Sequence, residues 1–128
     1  MATRYWPGAL TLVLPASDRV PAAVHLADPT TIGLRVPACA IAQAILAKTG
    51  PLATTSANRS GQPPLQDMAK IAAQFPNVLT LATDAPVLAS DLTPPPPAQS
   101  PSGLPSTVIK WTGDAWDILR QGNIKLSI

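Results

Sequence analysis

The apolar residues of the chain form short runs that alternate with turn residues. Residues 4–8 predict a turn, and the apolar run that starts at Thr11, between Gly8 and Pro15, predicts a buried strand. Two further strands are predicted at residues 22–26 and 31–36, with Pro37 ending the second. The chain therefore opens with turn and strand signals.

Helical spacing appears in two segments. Ile41, Ala44 and Ile45 predict a helix over residues 38–48 with one buried face, and Gly50 stands where a left-handed C-terminal residue is favoured. A second helix is predicted over residues 65–75 and ends at a proline. Its apolar stripe consists of Leu65, Met68, Ala72 and Phe75.

The remaining strands are predicted at residues 51–55 and 78–82, and as an antiparallel pair at 106–111 and 115–120. Strands that alternate with helices of about ten residues predict an α/β sheet with parallel pairs, in one domain over residues 1–128. Residues 92–104 are rich in proline, which offers no amide hydrogen to a neighbouring strand. We expect an extended surface loop there, and the first site of limited proteolysis. A ligand for a proline-binding module is the alternative.

Charge and composition exclude several classes of protein. Nine basic residues oppose seven acidic ones, so the net charge is only +2, which argues against strong nucleic-acid binding. All seven acidic residues are Asp, which excludes a site built on two glutamates. Cys39 and His25 are each alone of their kind, which leaves no disulfide framework and no Cys/His zinc site. No apolar stretch approaches the ~20 residues of a membrane-spanning helix, and no secretory signal opens the chain. A cytoplasmic location is expected.

Candidate chemistry lies in the segment PLATTSANRSGQPP, where a predicted strand leads into hydroxyl and amide side chains. Such a loop suits phosphate, ribose or amino-acid groups, and the alternative is a turn that only ends the strand. Arg35, in an otherwise apolar strand, suits a carboxylate or phosphate, and the alternative is an outward-facing surface arginine. Arg120 is open to the same two interpretations. The three tryptophans favour aromatic packing over base stacking.

Known catalytic motifs are missing from the sequence. No G-x-S-x-G surrounds any serine, and Ser106 and Thr107 stand at the entrance of a strand, so a serine hydrolase is disfavoured. Neither a P-loop nor a G-x-G-x-x-G is present, so a bound nucleotide would be held in another manner.

Five segments follow one another along the chain: RYWPGALTLVL, TIGLRVPACAIAQAIL, GPLATTSANRSGQPP, GLPSTVI and DILRQGNI. Taken in this order, they resemble the YrdC family of L-threonylcarbamoyladenylate synthases. The resemblance covers nearly the whole chain. It implies a twisted α/β sheet of mixed strand direction with flanking helices and a concave, positive face. It also implies synthesis of threonylcarbamoyl-AMP and pyrophosphate from L-threonine, bicarbonate and ATP, with Mg²⁺ accompanying the ATP, as a step in tRNA modification.

The resemblance also implies roles for individual residues. Those that would contact ATP are Thr31, Asn58 and Arg120, and those that would contact threonine are Arg35, Ser56 and Ser106; no catalytic residue and no metal ligand is assigned. Double-stranded RNA binding, and tRNA or tRNA-modification proteins as partners, are further properties that it implies.

The chain departs from the family pattern at its start. Family members carry a portion with a Lys-x-Arg signature before the Trp-Pro-Gly motif, which here is Trp6-Pro7-Gly8. We therefore expect an N-terminally truncated domain that makes little or no product until that portion is supplied. Two alternatives stay open: a non-catalytic nucleotide- or RNA-binding remnant, and a carbamoyl-transfer domain of the hydrogenase-maturation type.

Overall fold

The structure is a computed structural model that describes residues 1–24, 28–80 and 104–128. It divides into two compact units, one formed by Met1–Gly50 with Pro95–Ile128 and the other by Pro51–Pro94. The elements of the first unit are α1 (Ala2–Tyr5), β1 (Leu10–Pro15), a 3₁₀ turn (Ala22–Val24), β2 (Thr31–Leu34), α2 (Ala40–Thr49), β3 (Thr107–Trp111) and β4 (Trp116–Arg120). The described part of the second unit holds α3 (Met68–Gln74).

The four strands form one mixed sheet in the order β2-β1-β3-β4. β1 and β3 are parallel, whereas β2 and β4 run antiparallel to their neighbours. The parallel pair joins strands that are far apart in sequence, as a crossover connection requires. The predicted mixed α/β sheet with flanking helices is confirmed.

One face of the sheet carries the core of the first unit. Leu10, Leu12 and Ile109 are almost fully buried on it, because β1 and β3 are central strands and their alternate residues point to the same side. The Trp6 indole donates to the Leu10 carbonyl at 2.8 Å, which ties the N-terminal turn to this core. The partly buried residues that pack against the core are Met1, Ala2, Tyr5, Trp6, Leu14, Trp116, Ile124 and Leu126.

The predicted hairpin is present, with β3 and β4 joined through residues 112–115. The Thr112 amide donates to the Ala115 carbonyl at 3.0 Å, and Gly113 takes a φ of 115° that side-chain-bearing residues rarely adopt. Trp111 pairs with Trp116 across the strands, with ring centroids 5.1 Å apart. These two tryptophans therefore pack on each other.

Helix α2 is followed by the predicted glycine, but its apolar face is less buried than the sequence predicted. Gly50 closes it with a φ of 74° and an amide bond to the Leu46 carbonyl. No residue of α2 is fully buried, and Ile41 is 43% exposed, so the predicted buried face is only half covered.

Segment 22–26 was predicted as a strand, and this was wrong for its described residues. Residues 22–24 form a 3₁₀ turn, in which the Val24 amide donates to the Pro21 carbonyl at 2.9 Å. The local turn prevails because proline favours the first position of a helical turn, and the turn itself supplies the hydrogen bond that the strand would have needed from a neighbour. The turn predicted at residues 4–8 is likewise wrong for Arg4 and Tyr5, which belong to the short helix α1.

The second unit differs from the prediction in its strands. Residues 51–55 form no strand, and Leu52 is 51% exposed; residues 78–80 form none either, and Leu79 is 99% exposed. An apolar run becomes a strand only beside a hydrogen-bonding neighbour, and the described residues of this unit contain no strand. Residues 81–82 and most of the proline-rich segment lie outside the described residues.

Helix α3 begins three residues later than predicted, at Met68, because Asp67 caps it. The Asp67 carboxylate accepts from the Lys70 amide at 3.0 Å, which satisfies one of the free donors at the helix start. Residues before a cap lie outside the helix, so Leu65 belongs to the preceding loop.

Candidate functional site

Among the described residues of the first unit, the sheet face opposite the core carries polar side chains; we call it the open face. Thr11 and Val13 of β1 alternate with the buried Leu10 and Leu12, and the strand register places residues of the other three strands beside them. The open face comprises Thr11, Val13, Pro15, Thr31, Gly33, Val108, Lys110, Asp117 and Arg120, together with Ser106 just before β3 and Arg35 just after β2.

Two arginines stand at opposite ends of one row across the open face. Thr11 pairs with Val108, and Val108 pairs with Arg120. Arg35 directly follows β2, and continuing the β1–β2 register one residue beyond the Leu34–Leu12 pair puts it opposite Thr11. With strands about 4.8 Å apart, the backbones of the two arginines are separated by about 14 Å. Because each side chain can cover part of that distance, the row suits a ligand with two anionic groups.

A β-bulge places Arg120 on this face. The register of β3 with β4 shifts between Val108 and Ile109, so Asp117 and Arg120 lie opposite Lys110 and Val108, although three positions separate them along the chain. A regular strand would put two residues with this spacing on opposite faces.

Ser106 and Arg120 are in direct contact. Arg120 donates from Nε to the Ser106 carbonyl at 3.1 Å and from Nη2 to the Ser106 Oγ at 3.2 Å. The Ser106 hydroxyl is also 2.9 Å from the Thr11 hydroxyl, and only 8% of Ser106 is exposed. The serine hydroxyl is therefore held between a cation and a second hydroxyl.

Arg35 is anchored at one nitrogen. Its Nε donates to the Gly8 carbonyl at 2.9 Å, and no other hydrogen bond of this side chain exists among the described residues. Partial burial lowers the pKa of Arg35 from its ordinary value, yet a guanidinium stays charged at neutral pH. Its two terminal nitrogens remain available as a fork that matches a carboxylate or a phosphate.

Thr31 lies at the far end of the same face, about 13 Å along β2 from Arg35. Its hydroxyl donates to Asp28 Oδ2 at 2.9 Å, and Lys110 Nζ lies 3.6 Å from the same oxygen. Hydrogen bonds from the Thr30 hydroxyl and amide, and from the Thr31 hydroxyl, lower the pKa of Asp28 to about 2, and the Lys110 charge contributes. Thr31 therefore belongs to an Asp28–Lys110 network rather than to the arginine row.

Ser56 and Asn58 belong to the second unit. The Asn58 amide nitrogen donates to the Arg59 and Gln62 carbonyls at 3.0 and 2.9 Å, which holds the loop around Gly61 closed. These two bonds fix the orientation of the side chain and leave Asn58 Oδ1 buried and without a partner among the described residues. Ser56 is exposed. Asn58 thus ties its loop together, as the turn interpretation expected, and also keeps one buried acceptor unused.

Sequence reasoning overlooked Thr11 and Lys110. Both carry polar groups on the open face, beside the residues that had been proposed. The signal was alternation: Thr11 lies between two buried leucines, and Lys110 follows the buried Ile109. The assigned roles of Thr31, Arg35, Ser56, Asn58, Ser106 and Arg120 remain predictions.

Features outside the open face add little to the site. A shallow pocket of about 350 Å³ is lined by residues 4–9 with Asn123 and Ile124, and none of the proposed contact residues lines it. Within the ranges that the structure describes, no three acidic, histidine or cysteine side chains cluster as metal ligands. No helix there is long and apolar enough to cross a membrane.

The fold and the open face define a class of protein: a mixed sheet with one buried face and one polar face that presents two guanidiniums and a shielded serine. The Sua5/YciO/YrdC family model, described as "Telomere recombination", matches residues 1–122. The chain belongs to this family, and the family resemblance inferred from its motifs is confirmed.

Named relatives agree with this assignment. The threonylcarbamoyl-AMP synthase of Pyrococcus abyssi is 35% identical over 127 residues, which cover 98% of this chain and 34% of the relative. The threonylcarbamoyl-AMP synthase of Bacillus subtilis is 41% identical over 61 residues, covering 47% of this chain and 18% of the relative. The crystal structure of P. abyssi Sua5 complexed with L-threonine matches with a TM-score of 0.69 and 31% identity, over 94% of this chain and 32% of that one. The chain thus spans about a third of the length of the P. abyssi protein.

Proposed function

We propose that this chain acts in the synthesis of threonylcarbamoyl-AMP and pyrophosphate from L-threonine, bicarbonate and ATP. The observation that carries the proposal is the arginine row, in which Arg35 and Arg120 flank Thr11 with Ser106 held against Arg120. Two separated cations suit a reaction that joins a carboxylate-bearing amino acid to a polyphosphate. The names of the relatives and the threonine complex of P. abyssi Sua5 support the same choice.

Threonine is assigned to Arg35 and to Ser106, whose hydroxyl contacts both Thr11 and Arg120. The terminal nitrogens of Arg35 match the threonine carboxylate in a bidentate arrangement. The Ser106 hydroxyl, which both donates and accepts, suits the polar groups of the amino acid, and Ser56 of the second unit is proposed as a further threonine contact.

ATP is assigned to Arg120, Thr31 and Asn58. The charge of Arg120 offsets the charge of the phosphates. The unused group of Asn58 is an acceptor, so it suits an amino or hydroxyl group of the nucleoside and not a phosphate oxygen, which has no hydrogen to donate. Mg²⁺ would enter with ATP as part of the substrate, bound chiefly by the phosphates.

The proposed reaction requires positioning and neutralisation of charge more than a protein nucleophile. The threonine amine takes up bicarbonate to form a carbamate with loss of water. A carbamate oxygen then attacks the α-phosphorus of ATP, and the bond to pyrophosphate breaks as the new P–O bond forms. Fixed cations stabilise the charge that spreads over the transferring group, so a site without a catalytic cysteine or histidine is sufficient.

The pathway, the location and the partners of this chain are proposed on its family membership alone. The product would serve the modification of tRNA in the cytoplasm, with tRNA or tRNA-modification proteins as partners, and binding of double-stranded RNA belongs to the same proposal. The matched segment covers 34% of the P. abyssi relative and 18% of the B. subtilis relative, and the activity named for those whole proteins is what we propose for this chain.

The test is pyrophosphate release by the purified chain, with ATP, bicarbonate and threonine present and with each omitted in turn. From the chain alone we expect little or no release, and release that requires threonine and bicarbonate together once the family's N-terminal portion with the Lys-x-Arg signature is added. A parallel calorimetric titration should show heat of threonine binding. Release that ignores threonine would contradict the proposal, as would the absence of both release and threonine binding.

A further inference from the structure

Thr107, the residue after Ser106, is fully buried, and its hydroxyl lies on the core side of the sheet. It donates to the Ile124 carbonyl at 2.6 Å and accepts from the Gly122 amide at 3.0 Å. Both partners lie in the segment that follows β4, whereas Thr107 opens β3. One side chain thus fastens the C-terminal segment to the first residue of a central strand; we call this group of three residues the Thr107 latch.

At Gly122, the backbone of the C-terminal segment approaches the residues before β3 so closely that no side chain would fit. A Cβ added at Gly122 would overlap the Pro105 carbonyl oxygen and lie 2.6 Å from the carbonyl carbon and oxygen of Ser106. The neighbouring Asn123 amide donates to the Pro105 carbonyl at 3.0 Å. The backbone of residues 122–123 is therefore pressed against the Pro105–Ser106 peptide.

Arg120 lies two residues before Gly122, in the backbone segment that contacts Pro105 and Ser106. Arg120 grips Ser106 from the open face, at the Ser106 carbonyl and hydroxyl, while the latch holds the adjoining residues from the core side. Alternation puts Ser106 and Thr107 on opposite faces of the sheet, so the two grips act on neighbouring residues from opposite sides. The separation and angle between Ser106 and Arg120 consequently depend on the distance between β3 and the segment after β4.

We propose that Thr107 and Gly122 are positioning residues: the latch sets the geometry of the Ser106–Arg120 pair for ligand binding. Its effect on threonine rests on the proposed function, whereas its effect on the Ser106–Arg120 pair does not. Neither residue touches the ligand; both act through Ser106 and Arg120. Losing the latch leaves the buried Gly122 amide without its acceptor, while the Ile124 carbonyl keeps only the Gln121 side-chain amide at 3.4 Å. The segment then relaxes away from β3 to hydrate the Gly122 amide.

The test compares Thr107→Val with Thr107→Ser and with the matched control Thr112→Val. Valine keeps the size of the side chain and removes the hydroxyl, and serine restores the hydroxyl. Thr112 lies just past the other end of β3, and the hydrogen bonds that its hydroxyl forms with described residues all lie within the hairpin turn. We expect Thr107→Val to weaken threonine binding about tenfold or more, since one hydrogen bond between buried groups corresponds to about that factor. Thr107→Ser and Thr112→Val should stay within about twofold of the native chain.

A second measurement needs no ligand. In NMR spectra, the Arg120 Nε–H resonance and the Ser106 amide should shift in folded Thr107→Val and in Gly122→Ala, and should keep their native positions in Thr107→Ser and Thr112→Val. In the native chain, hydrogen exchange of the Gly122 amide and of the Arg120 Nε–H should show the same opening free energy, because one event exposes both. Because the hydrogen-exchange measurement uses the native chain, it tests the proposed latch even if a variant fails to fold.

The outcomes separate the two proposals. Native Ser106 and Arg120 resonances in folded Thr107→Val, or an Arg120 Nε–H that exchanges freely while the Gly122 amide stays protected, would overturn the latch whatever the ligand. Loss of threonine binding by Thr112→Val to the same degree as by Thr107→Val would also overturn it. Failure of the native chain to bind threonine, with the resonances behaving as expected, would reject the proposed function and retain the latch.

Discussion

Replacement of Arg35 by lysine keeps one positive charge and removes the planar fork. In the native chain, Arg35 binds the Gly8 carbonyl through Nε at 2.9 Å, which leaves two terminal nitrogens for a carboxylate. A lysine has a single nitrogen, so it cannot anchor on Gly8 and also form a bidentate pair. The expected loss is one hydrogen bond to a charged group, about 1.5–3 kcal/mol, which weakens threonine binding about 10- to 150-fold.

Isothermal calorimetry with L-threonine measures this loss, and Arg19→Lys serves as the matched control because Arg19 is an exposed turn residue. The methyl ester of threonine completes a cycle: it lacks the carboxylate, so the native chain and Arg35→Lys should bind it about equally. Threonine affinities of Arg35→Lys and the native chain that agree within twofold would refute the carboxylate role. An equal loss for the ester would assign the effect to a general disturbance of the open face.

Three further predictions concern stability. The pKa of Asp28 is lowered from 3.8 to about 2, so its ionised form stabilises the fold above about pH 4, and this contribution disappears as the pH falls through about 2. The difference in Tm between the native chain and Asp28→Asn should therefore shrink as the pH falls from about 4 to about 2. A difference in Tm that stays constant would contradict this prediction. Leu12→Ala should lower the free energy of unfolding in urea by about 2–5 kcal/mol, whereas Leu119→Ala, at a position that is 57% exposed, should change it little; equal effects would contradict the assigned core. Asp67→Ala should lower the stability of α3 by about 0.5–2 kcal/mol, measured by circular dichroism during urea unfolding, with Asp67→Asn retaining most of it.

The sequence by itself determined the elements whose causes are local. The run between Gly8 and Pro15 became β1, because proline and glycine bound it and its apolar residues are buried. Helix α2 ends just before Gly50, where the positive φ favours glycine. The hairpin follows from a turn that includes Gly113. Family membership was also readable from motifs, because several short matches in a fixed order are far more specific than any one of them.

Only the tertiary structure decided which residues share the open face and which apolar runs become strands. Thr11 and Arg120 are distant in sequence, and strand pairing places them on either side of Val108. The bulge beside Val108 that turns Arg120 to this face has no local signal. Residues 51–55 and 78–80 have strand-like composition without becoming strands, since a strand depends on hydrogen bonds from a neighbour that its own sequence cannot specify. The contact of Gly122 with the Ser106 peptide likewise exists only once β3 and the segment after β4 are brought side by side.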